Sequence, residues 1–180
     1  MLSGSGRTLV NLCEAMARGE IPAEIGLVIP SRECVGAERA RARGLATWVL
    51  PGVIPANRLA SVLRDHRIDW VVLAGYLKKV EIPGAYRGRI VNIHPALLPD
   101  FGGPGMYGDR VHQAVLEAGV KHTGCTVHLC DEEFDRGPVL LQRACPVLAG
   151  DDVHTLGARV FEEERKAYPE ALRRLLASKQ

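Results

Sequence analysis

Asn92 and His94 stand two residues apart in the run Arg89-Ile90-Val91-Asn92-Ile93-His94-Pro95. The β-branched apolar residues predict a buried strand, on which both side chains leave the same face. That face then carries an amide that can donate a hydrogen bond and an imidazole that can move a proton near neutral pH. Pro95 has no N–H to continue a ladder and biases His94 towards an extended backbone, so His94 is predicted at the strand's carboxyl end. Ligands of open α/β sheets bind at those ends. A lone histidine in such a place reads as a packed imidazole. The Asn-x-His-Pro context, with Leu97-Leu98-Pro99 after it, turns the reading towards chemistry.

A third polar group comes from the acidic turn Asp131-Glu132-Glu133-Phe134-Asp135-Arg136-Gly137-Pro138. A carboxylate near an imidazole raises its pKa and fixes its orientation. An amide at the same point can stabilise an oxyanion. Together the three groups can run acyl transfer by general acid–base catalysis, with no covalent enzyme intermediate. No serine lies in a nucleophile-elbow context, and Cys125 has no activating neighbours beyond nearby histidines. The residues alone leave Asp131 and Asp135 equally eligible, since Asp followed by Arg-Gly-Pro also suits a turn residue bonding its own backbone.

The elements that must position these groups read in order. The turn Ser3-Gly4-Ser5-Gly6-Arg7-Thr8 opens a helix whose inward positions are Leu9, Leu12, Cys13 and Met16. Such a turn can present backbone N–H groups to a phosphate. Only two residues precede it, so the first strand is expected as a truncated stub. A strand over 23–29 is followed by a helix capped by Ser31 and stopped by Gly44. A short strand over 47–50 leads to a helix opening at 55–58, with Leu59, Val62 and Leu63 facing inward. The apolar run 69–74 predicts a parallel strand covered on both faces, and 75–80 a loop at its carboxyl end. After the Asn92/His94 strand come a glycine-rich loop over 101–108 and a helix over 109–118. Strands over 123–130 and 139–147 flank the acidic turn and predict an antiparallel extension. A helix over 152–177 closes the chain, with a bend or restart near Pro169 and Leu156, Val160, Tyr168, Leu172 and Leu175 inward. The fold class expected is α/β: one domain, 1–180, with an open, mostly parallel twisted sheet, helices on both faces and an antiparallel extension.

The 180 residues, 47% of them hydrophobic, suit one domain with a substantial core. A formal charge of +2 with scattered arginines argues against an extended nucleic-acid surface. No apolar segment reaches membrane-spanning length, and the first residues do not read as a signal peptide. Cysteines at 13, 34, 125, 130 and 145 form no Cys-x-x-Cys pair, so reduced thiols in a cytoplasmic protein are expected and a metal site is not.

The run Asn92-Ile93-His94-Pro95-Ala96-Leu97-Leu98-Pro99, with Gly124-Cys125-Thr126-Val127-His128 and Asp135-x-Gly137-Pro138-Val139 downstream, resembles the glycinamide ribonucleotide formyltransferases. These are the folate-dependent phosphoribosylglycinamide formyltransferases of purine biosynthesis. Methionyl-tRNA formyltransferase and formyltetrahydrofolate deformylase are similar but carry further domains, for which this length leaves no room. The resemblance implies Asn92, His94 and Asp135 as the catalytic residues, and so selects Asp135 over Asp131. It implies that Gly6, Arg7 and Thr8 hold the substrate phosphate and that Glu164 contacts the glycinamide group. Arg58, Tyr76, Leu77, Lys78, Lys79 and Val80 fall on folate-binding positions, as do Asn92 and the turn Asp131, Glu132, Glu133, Phe134, Asp135.

The cosubstrate implied is 10-formyltetrahydrofolate, with no metal, nucleic acid or membrane, in a monomer or homodimer. Ser5, Arg7 and Thr8 depart from the family's usual Asn or Ser, and Leu77-Lys78 from its common Met-Arg pair. Lys78 keeps the charge but loses the planar fork of arginine. The segment Gly105-Met106-Tyr107-Gly108 lengthens the loop after the catalytic strand. Three other functions stay open on the same residues: a different formyl acceptor, hydrolysis of the folate, or a non-catalytic folate- or nucleotide-binding module.

Overall fold

Residues 1–177 are described here from a computed structural model. The chain divides into two compact units, Met1–Val91 and Asn92–Gln180. Four strands, β1 (Val71–Leu73), β2 (Ile90–His94), β3 (His122–Leu129) and β4 (Val139–Pro146), lie in the order β1-β2-β3-β4. The sheet is open and mixed, mostly parallel, with β3 and β4 antiparallel. The α/β class with an open, mostly parallel sheet and an antiparallel extension, as read from the sequence, is therefore the one observed.

In the first unit the helices are α1 (Arg7–Ala17), α2 (Val35–Arg41) and α3 (Ala56–Asp65). The stub before α1 pairs on both sides. Leu2 N–H donates to the Ile29 carbonyl (3.2 Å) and Ser31 N–H to the Leu2 carbonyl (2.9 Å). On the other side Ala74 N–H donates to the Met1 carbonyl (2.8 Å) and Ser3 N–H to that of Gly75 (3.0 Å). Leu2, 1% exposed, is buried in a cluster with Leu9, Val28 and Ala40. Three residues thus satisfy both neighbouring backbones and fill the core beneath them. On α3, Leu59, Val62 and Leu63 are buried at helical spacing, as their pattern requires.

Three expectations fail in this unit. The strand over 23–29 shrinks to isolated parallel bridges at Val28 (to Thr47) and Pro30 (to Leu2). Ala23, Glu24 and Gly26 are exposed, and Pro30 offers only its carbonyl, which accepts from Leu50 N–H at 3.0 Å. The segment at Thr47 likewise pairs through a single bridge. Nor does Ser31 cap a helix: α2 begins after Cys34, which makes no side-chain cap. The Ser31 hydroxyl instead donates to Ser3 Oγ at 2.7 Å, because its extended backbone already pairs with Leu2.

In the second unit α4 (Asp109–Glu117) and α5 (Val153–Ala177) accompany the hairpin β3/β4. The hairpin pairs His122 with Pro146 through Val127 with Leu141, and its register shifts between Val127 and His128. Gly124 is obligatory there, since a Cβ would run into the Arg143 carbonyl. α5 packs on β3, β4 and α4, burying Leu156, Val160, Tyr168 and Leu172. Leu175 is half-buried. The helix is assigned without interruption through Pro169, so no restart occurs.

Candidate active site

β2 ends at His94, as Pro95 demands, and the chain turns through Ala96, Leu97 and a cis Leu98–Pro99 peptide into the loop at 101–108. Among the described residues of this unit, Phe101 and Asp135 are the two non-glycine residues with a left-handed backbone, at φ 55° and 57°. Both converge on His94. Its Nε2 lies 2.8 Å from the Phe101 carbonyl, and its Nδ1 lies 3.6 Å from Asp135 Oδ2. Gly103 N–H donates to the same Asp135 Oδ2 at 2.9 Å, joining loop to turn. Backbone strain held at two residues around one imidazole is what a functional site leaves in a fold.

His128, on β3, closes the constellation. Its Nδ1 faces the Leu129 carbonyl at 3.0 Å and therefore carries a proton. Its Nε2 lies 3.1 Å from Asn92 Nδ2 and 3.5 Å from Asp135 Oδ1. Its Nε2 is then left to accept from the Asn92 amide, which fixes which way that amide points. The Asn92 Nδ2 group keeps a second hydrogen for a ligand oxygen. By the same logic, neutral His94 donates from Nε2 to Phe101 and presents a basic Nδ1 to Asp135.

The electrostatics correct one expectation. Burial pulls the His94 pKa below its ordinary 6.5, and the opposing pulls of Asp135 and the Phe101 carbonyl do not restore it. The resting imidazole is therefore neutral at pH 7, not held charged. Burial pushes the Asp135 carboxyl up, but the N–H and positive charge that His128 and His94 bring when protonated, with the Gly103 N–H bond, outweigh it and hold the pKa below 3.8. Burial, with the Glu164 charge adding to it, pushes the Cys125 thiol up to about 12, so Cys125 is not a thiolate nucleophile.

His112 is also buried, and burial likewise lowers its pKa from 6.5. Both imidazoles bind a proton more readily in the unfolded chain, so their contribution to stability is full above 6.5 and is lost as pH falls towards the depressed folded values. The melting temperature is expected to fall as pH drops below 6.5, less steeply in His112→Asn. A Tm flat through that window would contradict the burial of both rings.

The sequence reading assigned Thr126 and Gln142 no role, yet they hold the turn that follows His94. Thr126 Oγ1 donates to the Ala96 carbonyl (2.7 Å) and accepts from Leu98 N–H (3.0 Å) and Gln142 Nε2 (3.0 Å). Gln142 Nε2 also donates to the Leu98 carbonyl at 2.8 Å. The available signal was Thr126 two residues before His128 on a strand, hence on the same face. Thr126→Val keeps the shape but strands a buried N–H and a buried carbonyl. It is expected to cost about 2 kcal/mol by urea unfolding and to slow turnover. A loss below about 0.5 kcal/mol would remove Thr126 from this role.

Glycines permit the close approaches. A Cβ on Gly102 would lie 2.5 Å from Leu98 Cδ2 and 3.2 Å from Asp135 Cβ, and one on Gly137 would run into the Leu129 carbonyl. Around them Asp131, Glu132, Glu133 and Phe134 are exposed, with Asp131 Oδ1 accepting from Glu133 N–H at 2.9 Å. Asp131 therefore serves its own turn while Asp135 meets the imidazoles. Glu164 is half-buried on α5, within electrostatic reach of Cys125.

The remaining expected residues lie in the first unit. Gly6, at φ 73°, precedes α1 with no side-chain cap and no acidic residue in the first turn. A Cβ on it would lie 2.7 Å from Gly36 Cα. The first turn of α1 carries Arg7, exposed, and Thr8, half-buried. Arg58 is exposed on the first turn of α3. In the loop after β1, Leu77, Lys78 and Lys79 are exposed, Val80 is half-buried, and Tyr76 is buried with its hydroxyl lacking a hydrogen-bond partner. Among the described residues, no group of three or more His, Cys, Asp and Glu side chains is arranged to hold a metal ion, and no helix is long and apolar enough to cross a membrane.

The pattern of the formyl transferase family matches residues 1–172. The chain is 42% identical to the chloroplastic phosphoribosylglycinamide formyltransferase of Arabidopsis thaliana over 182 residues, 95% of this chain and 62% of the relative. It thus spans about three fifths of the length of the plant relatives it matches. Among solved structures, glycinamide ribonucleotide transformylase 1 from Symbiobacterium toebii superposes with a TM-score of 0.87 at 39% identity, covering 96% of this chain and 83% of that one. Phosphoribosylglycinamide formyltransferase from Bacillus halodurans gives 0.88 at 32% identity, covering 99% and 94%. With a neutral imidazole, a half-buried carboxylate and an amide donor gathered at the end of a sheet strand, and with these likenesses along its length, the chain belongs to the formyl transferase family, among the phosphoribosylglycinamide formyltransferases.

Proposed function

We propose that the chain transfers the formyl group of 10-formyltetrahydrofolate to the amino group of glycinamide ribonucleotide. The observation that carries this reading is the grouping of Asn92, His94, His128 and Asp135 around one point, with no activated nucleophile beside it. The folate supplies the formyl carbon and a nitrogen leaving group. Its fit to this chain rests on the loop after β1, where an exposed Leu77 and two ammonium groups offer an apolar face and charge for a carboxylate tail. Phe134, 45% exposed, gives the 131–135 turn a further apolar face.

The chain's own groups divide the work. The second Asn92 amide hydrogen stabilises the oxyanion that develops on the formyl oxygen. His94, neutral at rest, accepts at Nδ1 the proton shed by the attacking amine, and Asp135 Oδ2 balances the imidazolium. His94 then returns that proton to the leaving nitrogen, so no proton is gained or lost overall. His128 orients the Asn92 amide. In the first unit, the uncapped α1 N-terminus after Gly6, with Arg7 and Thr8, supplies amides and charge for the ribonucleotide phosphate. Glu164 supplies a carboxylate that accepts from the glycinamide amino group.

The two units act as one catalytic domain in the cytoplasm, a setting supported by five free cysteines. Comparing glycinamide ribonucleotide, an amino sugar nucleotide and water as acceptors in one folate-release assay tests the acceptor. The ribonucleotide should exceed the others by orders of magnitude. Equal release with water alone would make the chain a hydrolase.

A further inference from the structure

Ser3 is 2% exposed, and its hydroxyl joins three segments that the mechanism above uses separately or not at all. Ser3 Oγ accepts from the Ser31 hydroxyl at 2.7 Å and from Leu77 N–H at 2.9 Å. Its backbone is held as well: Ser3 N–H donates to the Gly75 carbonyl at 3.0 Å, and Arg32 Nε donates to the Ser3 carbonyl at 3.0 Å. The next residue, Gly4, accepts from Gly36 N–H at 3.0 Å, so the turn that starts at Ser3 is pinned to the start of α2. Both Oγ lone pairs are therefore used, one on each side of the turn.

We infer that Ser3 is a positioning residue that couples the turn before α1 to the loop after β1. The Leu77 amide is the only part of that exposed loop tip tied by this hydroxyl. Its register decides where Leu77 and Lys78 stand, because Gly75, at φ 73°, gives the loop a flexible entry. The coupling rests on the reading that the turn holds the ribonucleotide phosphate and the loop holds the folate. Under that reading each cosubstrate, by ordering its own segment, orders the other's through one oxygen atom. Ser3 touches neither substrate.

Two variants of the full chain separate this from a merely structural role. Ser3→Ala removes the acceptor of the Leu77 amide, whereas Ser31→Ala removes only the other partner and leaves that bond in place. Ser3→Ala is expected to raise the KM for the folate about fivefold, the worth of one hydrogen bond, with kcat nearly unchanged. Ser31→Ala should leave that KM within about twofold. Amide hydrogen exchange reads the coupling without any assay of turnover. Leu77 N–H should be protected in the wild type and in Ser31→Ala, and should exchange at least about tenfold faster in Ser3→Ala. Equal KM and equal Leu77 exchange in the two variants would overturn the inference. Faster Leu77 exchange in a protein without formyl transfer would keep the coupling and fail the proposed function instead.

Discussion

Replacing His94 with alanine is expected to reduce formyl transfer by about 10³-fold or more, the loss of a general acid–base group. The imidazole is 4% exposed, so the variant also leaves a cavity between the Phe101 carbonyl and Asp135. Some stability is lost, but among the described residues the ring's polar contacts are those with Phe101 and Asp135, and a folded protein should result. His94→Gln serves as the companion. Its amide can still donate to Phe101 but cannot move a proton, so it should fold better than the alanine variant and turn over no faster. Turnover within about tenfold of wild type in either variant would end the assignment of His94.

Asp135→Asn is expected to cost about 10²–10³-fold, because the amide keeps the shape and removes the charge that balances the His94 imidazolium. The substitution suits the backbone, since Asn tolerates the φ of 57° found there. The side-chain oxygen can still accept from Gly103 N–H, so loop and turn should stay joined. The pH profile carries the sign. Neutral His94 is the active form, so the rate falls on acidification through its depressed pKa. Asp135 raises that pKa against burial, so its loss should move the acidic limb to lower pH. A limb moving to higher pH would mean that Asp135 does not face His94.

Much of this site is readable from residue types alone, and the reasons are local. A β-branched run stopped by proline places Asn92 and His94 at a strand end whatever else the chain does. Asp135 was not separable from Asp131 on that basis. The distinction lies in a left-handed backbone at Asp135 and in Gly102 and Gly137, whose lack of a Cβ lets the turn close on the loop. Thr126 and His128 were visible as an alternating pair, but their partners Ala96, Leu98 and Asn92 are about thirty residues away in sequence. No local pattern encodes those pairings.

The net direction of the His94 pKa was misread for a similar reason. A neighbouring carboxylate can be inferred from sequence, but the depth of burial that outweighs it cannot. In the first unit, Ser31 has the composition of a helix cap and serves as a donor to Ser3, because the strand stub reaches it first. The segment 23–29 has the composition of a strand, yet its proline neighbours and exposed residues leave only single bridges.

The measurement that tests the account most directly is product stoichiometry in a wild-type reaction containing 10-formyltetrahydrofolate and glycinamide ribonucleotide. Formylglycinamide ribonucleotide and tetrahydrofolate are expected to appear one for one, and both about 10³-fold or more slowly when His94 is alanine. Folded wild-type protein that binds the folate but forms neither product, or that forms tetrahydrofolate and free formate without the formylated ribonucleotide, would contradict it.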